Sequence, residues 1–398
     1  LVRIFASLFF ATAMAQVGLG IISPILPLYA RTFHATGFQI GVVFAAFSVS
    51  RAILGHLVGR LSDRIGRKPI IVAGLIVYAL VSVLYAWSAA LWQLGVFRFI
   101  QGIASVMVTP IAQAYVGDLT RTGSEGRTLN AFYASQFIGM AVGPILGGGI
   151  GATWSYDVAF YVMGGLTLLS LVLVVFLVPT DEVAKTRRAP EKKPMLPLRE
   201  VLSHDAVKAM LAYFATRGFW RQAFSTFYPL YAVTALAAGE TEIGLVLSVY
   251  MFSEGLLQIP FGYLADRYPR VRQIVIGSVF APLVLLAIPH VGSIWAVAAL
   301  TAAMGGFSAL GRASLVAIRT ELGRTHGMGT LAGVQGSAFA MGQMFGPLVS
   351  GAVVDVAGIG SVFPFGSLIG CIGTALVIVW IRRWAKNDPE AAGARRAA

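Results

Sequence analysis

The chain has 398 residues, of which 57% are hydrophobic and 12% charged, against about 25% charged in an ordinary soluble domain. Most of its surface must therefore face lipid or a packed interior, and a soluble globular domain is excluded. The formal net charge of +13 does not make it a nucleic-acid binder, because the lysines and arginines sit in short clusters between apolar runs, not on one polar face.

A membrane-spanning helix needs about 20 mostly apolar residues. Twelve such spans are predicted: 4–30, 37–59, 69–89, 92–117, 128–150, 157–178, 206–232, 241–264, 272–290, 294–318, 327–354 and 360–382. The first continues well past Ala11–Ala15, which loosely resembles a cleavage site, so it is read as a retained span and not a leader. Between the second and third spans lies a basic, glycine-bearing turn from Gly55 to Lys68. The stretch 179–205 is polar, holds Lys185, Arg187, Arg188, Lys192 and Lys193, and is punctuated by prolines. It reads as a linker between an amino-terminal six-helix bundle, 1–178, and a carboxy-terminal one, 206–384, with a tail at 385–398. Cys371 is the one cysteine, so an intramolecular disulfide is excluded.

Orientation follows from the lysines and arginines. Those of the 60–68, 185–199, 267–272 and 382–396 clusters fall on one side when both termini are cytoplasmic, and only Arg31 falls opposite. An internal repeat supports the same count. Asp63-Arg64 returns 203 positions later as Asp266-Arg267, Ile40-Gly41 as Ile243-Gly244, and Asp118 as Glu321. Gly139, Gly143 and Pro144 return as Gly342, Gly346 and Pro347. Six spans separate the copies, so both halves run the same way, as in a parallel repeat.

Several motifs carry a family resemblance. Gly59-Arg60-Leu61-Ser62-Asp63-Arg64-Ile65-Gly66-Arg67-Lys68 resembles the signature loop of the major facilitator superfamily. Arg98-Phe99-Ile100-Gln101-Gly102 resembles the R-x-x-Q-G element of its fourth helix. The run from Gly139 to Gly148 is similar to an element of its drug:proton antiporters, which are exporters. The resemblance implies an all-α membrane protein of twelve transmembrane helices in two pseudo-symmetric bundles. It also implies a conformational latch at Gly59, Asp63, Arg64 and Arg67, with Asp118 behind it. Asp266, Arg267 and Glu321 form the second copy. Read from the residues alone, Asp63 caps a neighbouring helix or pairs with Arg67, while the bases anchor to anionic lipid. Gly139, Gly143 and Gly147 share a helical face, and Pro144 bends the helix. A tight contact between the halves is expected there, paired with Gly342, Gly346 and Pro347.

Ionisable groups inside a span are functional candidates by default. Arg51, Arg98, Arg217, Arg221, Glu254 and Arg312 are the ones within predicted spans. Arg217 and Arg221 share a face with Phe224 and Tyr228, with Trp220 beside them; Glu254 stacks with Gln258, and Arg98 with Gln101. Five arginines against one carboxylate predict an anionic ligand group held by planar guanidinium forks, or arginines serving as internal struts. Glu254 is the candidate proton-coupling group, because burial favours the neutral acid and a neighbouring arginine favours the carboxylate. Its alternative is a permanent ion pair. Gln16 stands where many related exporters place an acid, which argues against a cationic substrate.

The expectation is a proton-coupled secondary exporter of an amphipathic or organic-anion substrate, working by alternating access. A lipid or lysolipid transporter and a broad multidrug efflux pump are the alternatives. No metal spacing, phosphate-cradling loop or nucleophile elbow is found, so no enzyme is expected. The proton gradient stands in place of a cofactor. The expected partners are a small-molecule or lipid-like substrate and the bilayer, for a monomer in a bacterial inner membrane.

Overall fold

The computed structural model describes residues 2–119, 125–179 and 198–387. Twelve long helices follow the predicted spans in order: α1 Val2–Thr32, α2 Gly37–Ile65, α3 Arg67–Ala86, α4 Leu91–Leu119, α5 Glu125–Thr153, α6 Tyr156–Leu177, α7 Asp205–Ala235, α8 Glu240–Arg267, α9 Arg270–Ala287, α10 Ile294–His326, α11 Met328–Ala357 and α12 Val362–Asn387. A short helix, Leu198–Ser203, precedes α7. The described residues contain no strand. The predicted linker bases Lys185, Arg187, Arg188, Lys192 and Lys193, and residues 388–398, lie outside the described residues.

Eleven of the twelve helices are long and apolar enough to cross a membrane. The other, α7, has 31 residues, ample length for a bilayer, but carries Asp205, Lys208, Arg217 and Arg221. The chain is a multi-pass membrane protein. Most of its helices outrun the predicted spans, because a helix satisfies its own backbone and need not stop where apolarity stops. The clearest case is α2. The basic segment expected as a turn from Gly55 is helical through Ile65. The break falls on Gly66, whose φ of 104° strains any residue with a Cβ. The opposite end of α2 is fixed by a capping box: Thr36 Oγ1 accepts from the Gln39 N–H at 3.2 Å, and Gln39 Oε1 accepts from the Thr36 N–H at 2.9 Å.

The chain divides into two compact units, Leu1–Ala189 with Tyr228–Ser248, and Pro190–Phe227 with Val249–Ala398. In the first, α1 packs on α5 and α6, α2 on α4, and α3 on α4 and α6. Leu8, Leu75, Val108, Tyr115, Phe132 and Val174 form a core there. In the second, α9 packs on α10 and α12, around Met210, Tyr213, Ile274, Leu315, Leu331 and Val377.

Glycines set how closely these helices approach. A Cβ on Gly143 would sit 2.5 Å from both Gly20 Cα and the Val17 carbonyl. Gly139 is equally tight against Ala13 and Gln16, and Gly147 against Ile21. Gly139, Gly143 and Gly147 therefore meet α1 of their own bundle, not the other half, whereas the Pro144 carbonyl lies against Gly244 of α8, in the carboxy-terminal half, as expected. Gly342 and Gly346 press likewise on Ala215 and Phe219 of α7. The neighbouring residues of α5 make a different contact, still inside the first unit. The Ile145 N–H, next to Pro144, donates to Ser248 Oγ at 3.0 Å, and Gly148 abuts Glu240 and Gly244 of α8.

Candidate proton and substrate site

In the second unit three helices converge on one carboxylate. Arg217 from α7 pairs with Glu254 Oε1 from α8. Arg312 Nη1 from α10 lies 3.4 Å from the same oxygen. Arg221, one turn beyond Arg217, has its Nε 3.6 Å from Oε2. Arg217 is fully engaged: its Nε also donates to Ser308 Oγ at 2.9 Å, and its guanidinium lies 5.3 Å from the centre of the Phe339 ring. Tyr213 donates to the Ser308 carbonyl at 3.0 Å and holds that turn of α10 against α7. Side-chain exposure is 5% for Arg217 and 4% for Glu254, but 14% for Arg221 and 24% for Arg312. The cluster thus has a buried inner pair and two outer, only partly buried arginines. Three cations and one anion leave it with surplus positive charge.

Aromatic side chains extend the cluster. Arg221 lies 5.9 Å from the centre of the Tyr250 ring, and Phe224 meets Tyr250 and Phe363 edge-on at 5.8 and 6.5 Å. Gln258, one turn past Glu254, keeps a buried Oε1 without a hydrogen bond. Trp220 is not on this face. It packs against Gly366 and Gly370 of α12, so its expected place beside the substrate is corrected to helix packing. A small cavity beside it, about 10 Å³, is lined by Arg217, Trp220, Pro282 and Thr374 and has room for about one water.

The other two arginines form no part of this cluster. In the first unit Arg98 donates to Gln101 Oε1 at 2.9 Å, and Tyr85 donates to the same oxygen at 3.2 Å. The Arg98 guanidinium lies 4.6 Å from the centre of the Phe44 ring and 5.3 Å from that of Phe47. Arg51 is exposed and lies 5.3 Å from Phe47. Neither arginine has an ion-pair partner among the described residues. The expected five arginines around one carboxylate are therefore three. Gln16 is buried at the α1–α5 contact beside Gly139. Tyr228 is buried in the stretch of α7 belonging to the first unit.

The latch motif is a clamp inside each unit. Arg67 Nη1 lies 2.9 Å from Asp63, its Nε 3.2 Å from Asp118, and it donates to Ser62 Oγ at 3.0 Å. One arginine at the start of α3 thus ties the ends of α2 and α4. Asp118 is a direct partner, closer than its expected place behind the motif. Arg270 does the same for Asp266 at 4.0 Å and Glu321 at 2.6 Å. Arg64 and Arg267 stay exposed and make no ion pair among the described residues. A Cβ on Gly59 would meet open space. Arg270, the hub of the second clamp, was not expected, although it stands 203 positions after Arg67. Neither was Ser308, signalled only by its place four residues before Arg312, nor Phe339, which nothing in the sequence signals.

The Major Facilitator Superfamily model matches residues 8–236 and again residues 209–397. The chain belongs to the major facilitator superfamily. Multidrug resistance protein 2 of Bacillus subtilis is 23% identical over 384 residues, covering 95% of this chain and 94% of that protein. Quinolone resistance protein NorA of Staphylococcus aureus is 25% identical over 357 residues, covering 88% and 89%. Among solved structures, a bacterial homologue of the human lysosomal transporter Spinster, inward-facing and occupied, superposes with a TM-score of 0.81 at 14% identity, covering 96% and 97%. This superfamily member is a transporter of the plasma membrane, similar to multidrug- and quinolone-resistance proteins, and not an enzyme.

Proposed function

We propose that this transporter is a proton-coupled secondary exporter of amphipathic small molecules, with Glu254 as the proton-carrying group. One observation carries the reading: a buried carboxylate on α8 is the only negative charge, among the described residues, joining three arginines of α7 and α10. Protonating Glu254 removes the charge that holds those helices together, and deprotonation restores it. A buried pair broken on one side leaves an uncompensated charge worth about 3–5 kcal/mol, which displaces a two-state equilibrium by about two to four powers of ten. The tight glycine faces suit the cycle, because packed helices of this kind move as rigid bundles. Both termini are cytoplasmic in this reading and the working unit is a monomer.

The test is flux in proteoliposomes under an imposed pH gradient. An uncharged fluorescent amphiphile is expected to move against the proton flow in the wild type, and to ignore the gradient in Glu254→Gln. Wild-type flux indifferent to the gradient, or an unchanged response in the variant, would overturn the reading.

A further inference from the structure

We infer that the outer guanidinium groups, Arg221 and Arg312, bind an anionic headgroup, and that this anion and the proton on Glu254 load together. The inference rests on the reading of Glu254 as the proton site.

The four charged groups are not equivalent. Arg217 is spent on Glu254, Ser308 and Phe339. Arg221 sits 3.6 Å from Glu254, beyond hydrogen-bond reach, and its buried Nε has no hydrogen-bond partner. Arg312 is the most exposed of the four side chains, at 24%. The buried Tyr250 hydroxyl also lacks a hydrogen bond and sits one turn from Glu254. An incoming oxyanion therefore meets the Arg312 and Arg221 guanidinium groups before it meets the more deeply buried carboxylate. Arginine forks fit a carboxylate, sulfonate or phosphate edge-on.

The anion and the Glu254 carboxylate are rivals for the same cations. The charged and titratable groups around Glu254 are Arg217, Arg221 and Tyr213 from α7, Arg312 from α10 and Tyr250 from its own helix; α11 presents the Phe339 ring. None of these supplies a second negative charge at neutral pH. Protonating Glu254 thus removes the carboxylate's competing hold on Arg221 and Arg312, and by reciprocity a bound anion draws a proton onto Glu254. Loading of this sign moves an anion in the same direction as the proton. The gradient that expels an uncharged amphiphile by exchange accordingly opposes export of an anionic one.

The probe is naphthalenesulfonate, which stays ionised throughout, with naphthalenemethanol as its uncharged twin. Both are titrated calorimetrically into the full chain in nanodiscs, in buffers of different ionisation heat. Wild-type affinity for the sulfonate is expected to fall about ten-fold from acid to alkaline buffer, with protons taken up on binding. Glu254→Gln should bind the sulfonate as tightly as the acid wild type, at any pH and without proton uptake. Arg312→Gln should weaken the sulfonate and spare the alcohol. Affinity indifferent to pH, weaker sulfonate binding in Glu254→Gln, or equal losses for both probes in Arg312→Gln would overturn the inference. Should Glu254→Gln not fold, proton uptake by the wild type decides alone. These outcomes need no flux, so a carrier that meets them yet shows no gradient-driven transport overturns the export reading only.

Discussion

Glu254 and Arg51 occupy the same position in the two repeats, 203 residues apart, yet they carry opposite charges. The backbone around them has been kept. Gly102 presses on the Phe47 carbonyl and Ser50, and Gly305 presses on the Tyr250 carbonyl and Ser253. Each of these residues also has its partner at the 203 offset. In the first unit the cations Arg51 and Arg98 lean on phenyl rings, with no carboxylate among the described residues close enough to pair. In the second unit a carboxylate gathers three arginines. The difference teaches that close packing constrains the small residues, while the charges within that frame are free to diverge into different tasks.

Three sets of substitutions would sharpen or break this comparison. The largest effect is expected at the inner pair. Arg217→Ala leaves Glu254 without its main partner and should cost about 3–5 kcal/mol of stability. Arg98→Ala strands no opposite charge and should cost about 1–2 kcal/mol in lost ring and amide contacts. Denaturant unfolding in detergent reads both, and equal losses would show that the two clusters are energetically alike.

Next come the glycine faces. Gly143→Ala and Gly346→Ala should each cost about 1–3 kcal/mol, because the added methyl meets backbone on α1 or α7. Gly59→Ala points into open space and should stay within about 0.5 kcal/mol. Thermal unfolding of the three variants side by side would expose any asymmetry between the repeats.

The smallest effects belong to the clamps. Their acids are substantially exposed, so Arg67→Gln and Arg270→Gln should each cost about 0.5–1 kcal/mol. The loss should shrink as salt rises, since exposed pairs are screened and the Glu254 cluster is not. Arg64→Gln and Arg267→Gln should be neutral. A loss at Arg64 matching that at Arg67 would contradict the assignment of the hub.

The helices were open to reading because lipid imposes a length and a polarity that leave a plain mark on the chain. The repeat offset carried that reading further, pairing Gly143 with Gly346 and Asp118 with Glu321 before any geometry was known. Helix periodicity also put Arg217 and Arg221 on one face. It could not say what that face met, so Trp220 was placed with the arginines although it packs on α12. Nor could it tell that the glycine face of α5 meets α1, because small residues report closeness and not the identity of the neighbour.

By itself the amino-acid order determined a duplicated twelve-helix membrane protein, the helix carrying each buried charge, and the superfamily to which it resembles a member. Only the folded chain decided that three arginines and not five reach Glu254, that Arg270 and not Arg267 closes the second clamp, and that Ser308 and Phe339 hold Arg217 in place. The physical reason is that spacing along one helix is set by local backbone geometry, whereas a partner across a helix contact depends on how side chains far apart in sequence interlock.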